Sequence, residues 1–90
     1  MSRTALRPGD LVRTRGRTDP IGGSLTMWDG RWSAADLGLR PVPIIKVPGD
    51  AVGLLVGFEQ GAGSRLARVH YPQGLCMWWY DAFEFVEAEP

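Results

Sequence analysis

Large apolar residues recur at every second position through the middle of the chain. Val52, Leu54, Val56 and Phe58 alternate with Ala51, Gly53, Leu55 and Gly57. A repeat of two is that of a strand with one buried face, so the pattern predicts a strand that buries the even positions. Gly53 and Gly57 on the opposite face mark a bend or a close backbone approach, which a strand curling around a small barrel needs. Residues 60–64 break the alternation with two glycines. Residues 65–71 resume it, with Ala67, Val69 and Tyr71 on one face and Leu66, Arg68 and His70 on the other. The two runs predict an antiparallel hairpin around which the remaining chain is arranged.

The flanks read as shorter pieces. Pro8, Gly9 and Asp10 form a turn that launches a strand over residues 11–14, preceded by a flexible polar arm, residues 1–7. Residues 16–48 form a long inserted loop. Within it, Asp29-Gly30 is the preferred pair for a type I′ hairpin turn, which would set Trp28 opposite Arg31 and Met27 opposite Trp32. Ser33 and Asp36 have the spacing of a capping box, and Gly38 can stop the short helical turn that follows. Pro41, Pro43 and Pro48 bracket Ile44, Ile45, Lys46 and Val47 and confine that strand to an edge. Beyond Tyr71, Pro72-Gln73-Gly74 predicts a second hairpin turn into a strand over residues 75–79. A helical turn over 80–82, a last strand over 83–86 and an acidic tail complete the chain.

Short strands, Gly/Pro turns and almost no helix give one all-β domain over residues 1–90, a barrel of about five short strands. The order is strand, long loop, long bent strand, hairpin, strand, helical turn, strand. The frame is carried by residues 7–13 (RPGDLVR), 53–57 (GLLVG), 67–71 (ARVHY), the aromatic strand and the terminal Phe85-Val86-Glu87. It resembles small SH3-like barrels of the kind encoded by tailed bacteriophages. The resemblance covers about half the chain, counted over strands of ordinary length. It implies a structural part of a virion, capsid-associated or at the head-tail connector, that works by contact with other protein chains or with itself. Outside that resemblance, a single cysteine, the lack of a long apolar run and a polar start lead to the expectation of a cytoplasmic protein with no membrane contact.

Composition narrows the chemistry. Ten basic and ten acidic residues leave a formal charge of zero, which argues against a chain built mainly to hold nucleic acid. Four tryptophans in 90 residues are many. Trp28, Arg31, Trp32, Trp78 and Trp79 are therefore the candidate partner-binding residues, since aromatic and arginine side chains are enriched where proteins meet. Trp78 and Trp79 are adjacent on a strand and must point to opposite faces, one into the core and one covered by the long loop or by a partner. Arg13, Arg15 and Arg17 lie at a spacing of two and could track phosphates, the basis of an alternative nucleic-acid-binding role. Against it, acidic residues of the last strand can neutralise them across neighbouring strands. A small regulator of a host protein would use the same surfaces as a structural module. His70 and Cys76 are the single residues of their kinds, too few for a zinc site, and a Cys–His pair would need contact and a third group. Gly61 and Gly63 precede a strand and cannot offer helix-terminal amides to an anion. The residues predict no enzyme, no cofactor and no metal.

Overall fold

The computed structural model describes residues 5–14, 24–61 and 63–86. Its strands are β1 (Leu11–Thr14), β2 (Ser24–Asp29), β3 (Ile44–Pro48), β4 (Gly53–Gly61), β5 (Ser64–Tyr71), β6 (Gly74–Trp79) and β7 (Phe83–Phe85). All pairings are antiparallel, in the order β3-β2-β6-β5-β4-β1-β7, and the sheet curls into a half-barrel. The all-β expectation holds, but the described residues form seven strands rather than about five. The segment read as a long loop, residues 16–48, holds two of them: β2, and β3 where the sequence marks a short edge strand at 44–47. The proline-bracketed β3 lies at the sheet edge, as expected of a strand that lacks donors at both ends. Single 3-10 turns occupy Ala34–Asp36 and Tyr80–Ala82, both at positions the sequence marks. Ser33 caps the first through a bond from the Ala35 amide to its hydroxyl, and Gly38 follows at φ 85°. Residues 1–4, 15–23, 62 and 87–90 lie outside the described residues, and with them the start of the arm, all of the inserted loop before β2 and the acidic tail.

The long strand β4 buries the face opposite to the one its large residues predict. Gly53 and Leu55 turn inward, whereas Val52, Leu54 and Val56 are exposed. Tyr71 explains the inversion. A Cβ on Gly53 would lie 2.5 Å from Val69 Cγ1 and 3.0 Å from the Tyr71 ring. The inward place at 53 is thus already filled from β5, and only glycine fits beneath it. The register then slips between Leu55 and Gly57, so Val56 is the extra residue of a β-bulge. The slip moves the alternation by one. Phe58 therefore turns inward opposite Ala67, and Glu59 turns outward opposite Leu66. A single period of two cannot describe a strand that changes phase partway.

Both faces of the sheet carry apolar packing. The inner face holds the main core, built on Val12, Met27, Val47, Leu55, Val69, Tyr71, Cys76 and Phe83. Leu6 packs against its rim, so the described end of the N-terminal arm is fastened. The outer face holds a smaller cluster of Ala34, Leu66 and Met77, with Trp28, Leu37 and Trp79 against it. Residues 30–40 run across the outer face as a strap and supply Ala34 and Leu37 to that cluster. The strap lies close to the sheet. A Cβ on Gly61 would stand 2.6 Å from the Ala34 methyl.

No two-residue hairpin forms at Asp29-Gly30. Gly30 lacks the positive φ of a type I′ turn, and Trp28 pairs with Ile44 on one side and Met77 on the other rather than with Arg31. Asp29 instead accepts the Arg31 amide, turning the chain out of the sheet. Gly30 donates its amide to the Leu75 carbonyl, and a Cβ there would sit 2.9 Å from the Cys76 carbonyl oxygen. Close approach to β6, not turn type, requires this glycine.

Candidate protein-interaction surface

The structure brings three of the four tryptophans together. Ring centroids lie 4.7 Å apart for Trp28 and Trp78, 5.5 Å for Trp28 and Trp79, and 6.3 Å for Trp78 and Trp79. Trp78 packs against the inner core, Trp28 and Trp79 against the outer cluster beneath the strap. The adjacent pair thus divides between the two faces, as strand geometry demands. Trp32 is half-buried at the start of the strap, and its carbonyl accepts from Arg68. Arg31 is exposed but engaged. Its Nε and Nη2 donate to the two Asp29 carboxylate oxygens at 2.8–3.2 Å. These bonds hold the Asp29 carboxyl below its ordinary range, and Asp29 raises the Arg31 pKa in turn. Trp28 and Trp79 thus pack against the cluster to which the strap contributes Ala34, and all four tryptophans keep a partly exposed edge.

A charged latch completes that attachment. Arg68, on the outer face of β5, donates Nε to the Gly30 carbonyl at 3.0 Å and Nη2 to the Trp32 carbonyl at 2.9 Å. The same Nη2 meets Glu59 Oε2 at 2.7 Å, and that oxygen also accepts the Ala34 amide at 2.7 Å. The Ala34 amide and the Arg68 guanidinium together hold the Glu59 carboxyl below its ordinary value. Sequence inspection misses this pair, because Glu59 and Arg68 come onto one face only through the bulge at Val56.

Beyond Arg68 no described residue of the strap lies over the outer face. Leu11 pairs with Leu54, Leu54 with His70, and all three are exposed. Leu11, Val52 and Leu54 line a shallow cleft of about 350 Å³ with Gly53, His70, Tyr71 and Pro72. Val56 extends the apolar strip at the bulge and is 49% exposed. Along β5 the outward residues are Leu66 under the strap, Arg68 as its anchor, and His70 beside the open cleft. Sequence inspection assigns the β4 residues of this strip to the core, because their period is that of a buried face.

The arginine face is only partly visible. Arg13 Nε lies 3.1 Å from Glu84 Oε2, and the two residues are cross-strand partners on β1 and β7. That is the neutralisation between first and last strands anticipated for this side chain. Arg15 and Arg17 lie outside the described residues. His70 and Cys76 are not brought together. His70 pairs with Leu75 on the outer face, while Cys76 pairs with Val69 and is buried in the inner core. Burial pushes the Cys76 thiol up to about 11, far from a thiolate nucleophile at neutral pH. Among the described residues, no group of three His, Cys, Asp or Glu side chains is placed to hold a metal ion. No described helix is long and apolar enough to cross a membrane. No protein-family model, no curated protein and no solved structure matches the chain.

Proposed function

We propose that the protein is a non-enzymatic interaction module that docks onto other protein chains through the uncovered part of its outer face. The observation that carries this reading is the strip of Leu11, Val52, Leu54 and Val56, each more than two-fifths exposed on one surface. Contiguous apolar patches are where soluble proteins meet partners. Trp28, Trp32, Trp79 and Arg31 lie in or against the strap and Trp78 lies against the inner core, each with a partly exposed surface that a partner could also touch.

We further propose that the half-barrel is SH3-like in kind. In support, the first and last strands are neighbours, a bent central strand leads into a hairpin, and a 3-10 turn precedes the last strand. The β2–β3 hairpin is then an addition beside β6. The resemblance to bacteriophage barrels gives the proposal its concrete form, a small virion component whose apolar face is covered on assembly. A photo-crosslinking side chain placed at position 54 tests the docking reading in the producing cell, with position 46 on the β3 edge as control. A discrete adduct at 54 and none at 46 is the expected outcome. Equal labelling at both, or none at 54, refutes docking through this face.

A further inference from the structure

We infer that the partner covering the Leu11–Leu54 face is a second copy of this chain, paired about a two-fold axis. This rests on the interaction reading above and names its partner. A two-fold contact sets one patch against itself, so the patch must tolerate its own image. A strip of one charge cannot, because like charges would meet. This one can: the cleft residues Leu11, Val52, Gly53, Leu54, His70, Tyr71 and Pro72 include no aspartate, glutamate, lysine or arginine. The formal charge of the whole chain is zero, so two copies approach without net repulsion.

Area supports the same occupant and sets its strength. Leu11, Val52, Leu54 and Val56 are 43%, 41%, 43% and 49% exposed. With the exposed parts of His70 and Pro72 the strip spans on the order of 500 Å², at the upper end for a monomer's apolar patch. Two strips face to face bury about 1,000 Å² in total, the lower bound of a specific interface. A weak, reversible dimer follows rather than a permanent one. Strand-edge pairing is a poorer route to association. The β3 edge follows Pro43, ends in Pro48 and carries an exposed Lys46, and β7 has three residues.

Sedimentation equilibrium of the full chain over about 10 µM to 1 mM tests this, a range that brackets dimers of such area. The wild type is expected to rise from 9.9 kDa toward twice that mass. Leu54→Glu and, independently, Val56→Glu should remain monomeric at the highest concentration, a loss of at least tenfold in association, with wild-type circular dichroism. Leu39→Glu, at a residue 77% exposed outside the cleft, should dimerise as the wild type does. A wild type that stays monomeric throughout overturns the inference, as do folded 54 and 56 variants that still dimerise. The position-54 crosslink separates the two failures. A monomer that crosslinks to a different protein overturns self-pairing and keeps the interaction reading; a monomer without any adduct overturns both.

Discussion

Leu54 and Leu55 are the same residue, one position apart, on opposite faces of β4. Leu55 is 1% exposed in the inner core and Leu54 is 43% exposed beside the cleft. Truncating Leu55 to alanine removes buried methyl groups and leaves a cavity under Val69, which costs about 2–5 kcal/mol. Truncating Leu54 leaves no enclosed cavity. It forfeits only the buried part of a side chain whose full burial is worth about 1.5–3 kcal/mol, hence about 1 kcal/mol or less. Gly53→Ala completes the comparison. Its Cβ would meet Val69 Cγ1 at 2.5 Å and the Tyr71 ring at 3.0 Å. Overpacking of this kind costs about 1–3 kcal/mol, against about 0.4–1 kcal/mol gained from the stiffer unfolded chain. The net effect lies between near zero and a loss of about 2.6 kcal/mol. Each kcal/mol moves the midpoint of a domain this size by about 4–8 °C, so the Leu55 variant should melt at least about 8 °C lower. Urea and thermal unfolding followed by tryptophan fluorescence measure all three. If Leu54→Ala costs more than Leu55→Ala, or Gly53→Ala is stabilising, the period-two reading of β4 is correct and the face assignment here is not.

Four further outcomes are expected. Arg68→Met should cost about 2–3 kcal/mol, because it takes the guanidinium from the Gly30 and Trp32 carbonyls and leaves Glu59 only the Ala34 amide, and it should raise amide exchange at Ala34 ahead of the sheet amides; unchanged exchange at Ala34 would remove the latch. Asp29 and Glu59 are held below ordinary values of 3.8 and 4.5, so their stabilisation is complete above about pH 5 and is lost as pH falls toward the lowered folded values. Glu59→Gln should therefore flatten the acid limb of a stability-pH profile, and an unaltered slope would contradict that role. Cys76 should resist a thiol reagent at pH 8 in the folded chain and react promptly in urea, since burial and the raised pKa both suppress the thiolate. Arg13→Ala should cost no more than about 0.5 kcal/mol, because its bridge to Glu84 is largely exposed.

Much of the framework is legible in residue order. Turn chemistry marks Pro8-Gly9, Gly38 and Pro72-Gln73-Gly74, and the glycines of these turns have φ values of 98°, 85° and 138°. Proline pairs confine β3 to the edge, and adjacency alone divides Trp78 from Trp79. What is not legible depends on distant contacts. Tyr71 excludes a side chain at 53 from across the sheet, and a bulge at 56 changes the phase of β4. Gly53 and Gly57 mark a close approach and a bend in the sequence, but neither tells which face turns inward, and together the two features turn a strip of apparent core residues outward. Asp29-Gly30 fails as a hairpin turn for a related reason. β2 finds partners in β3 and β6, and Gly30 is needed to pass close to the β6 backbone. The exposed strip carries the same period-two signal as a core face, whereas the tryptophans stand out by number, and two of them, Trp28 and Trp79, pack against the cluster that holds Ala34 of the strap.

The outward placement of the β4 strip is the premise of both the docking face and its self-pairing. Methyl relaxation by a soluble paramagnetic agent reads it directly, in a dilute sample that keeps the chain monomeric. The methyls of Leu11, Val52, Leu54 and Val56 should relax fast, while those of Leu55, Leu66 and Val69 should be protected, as their burial requires. Protected Leu54 and Val56 methyls with an accessible Leu55 would contradict the account at its base.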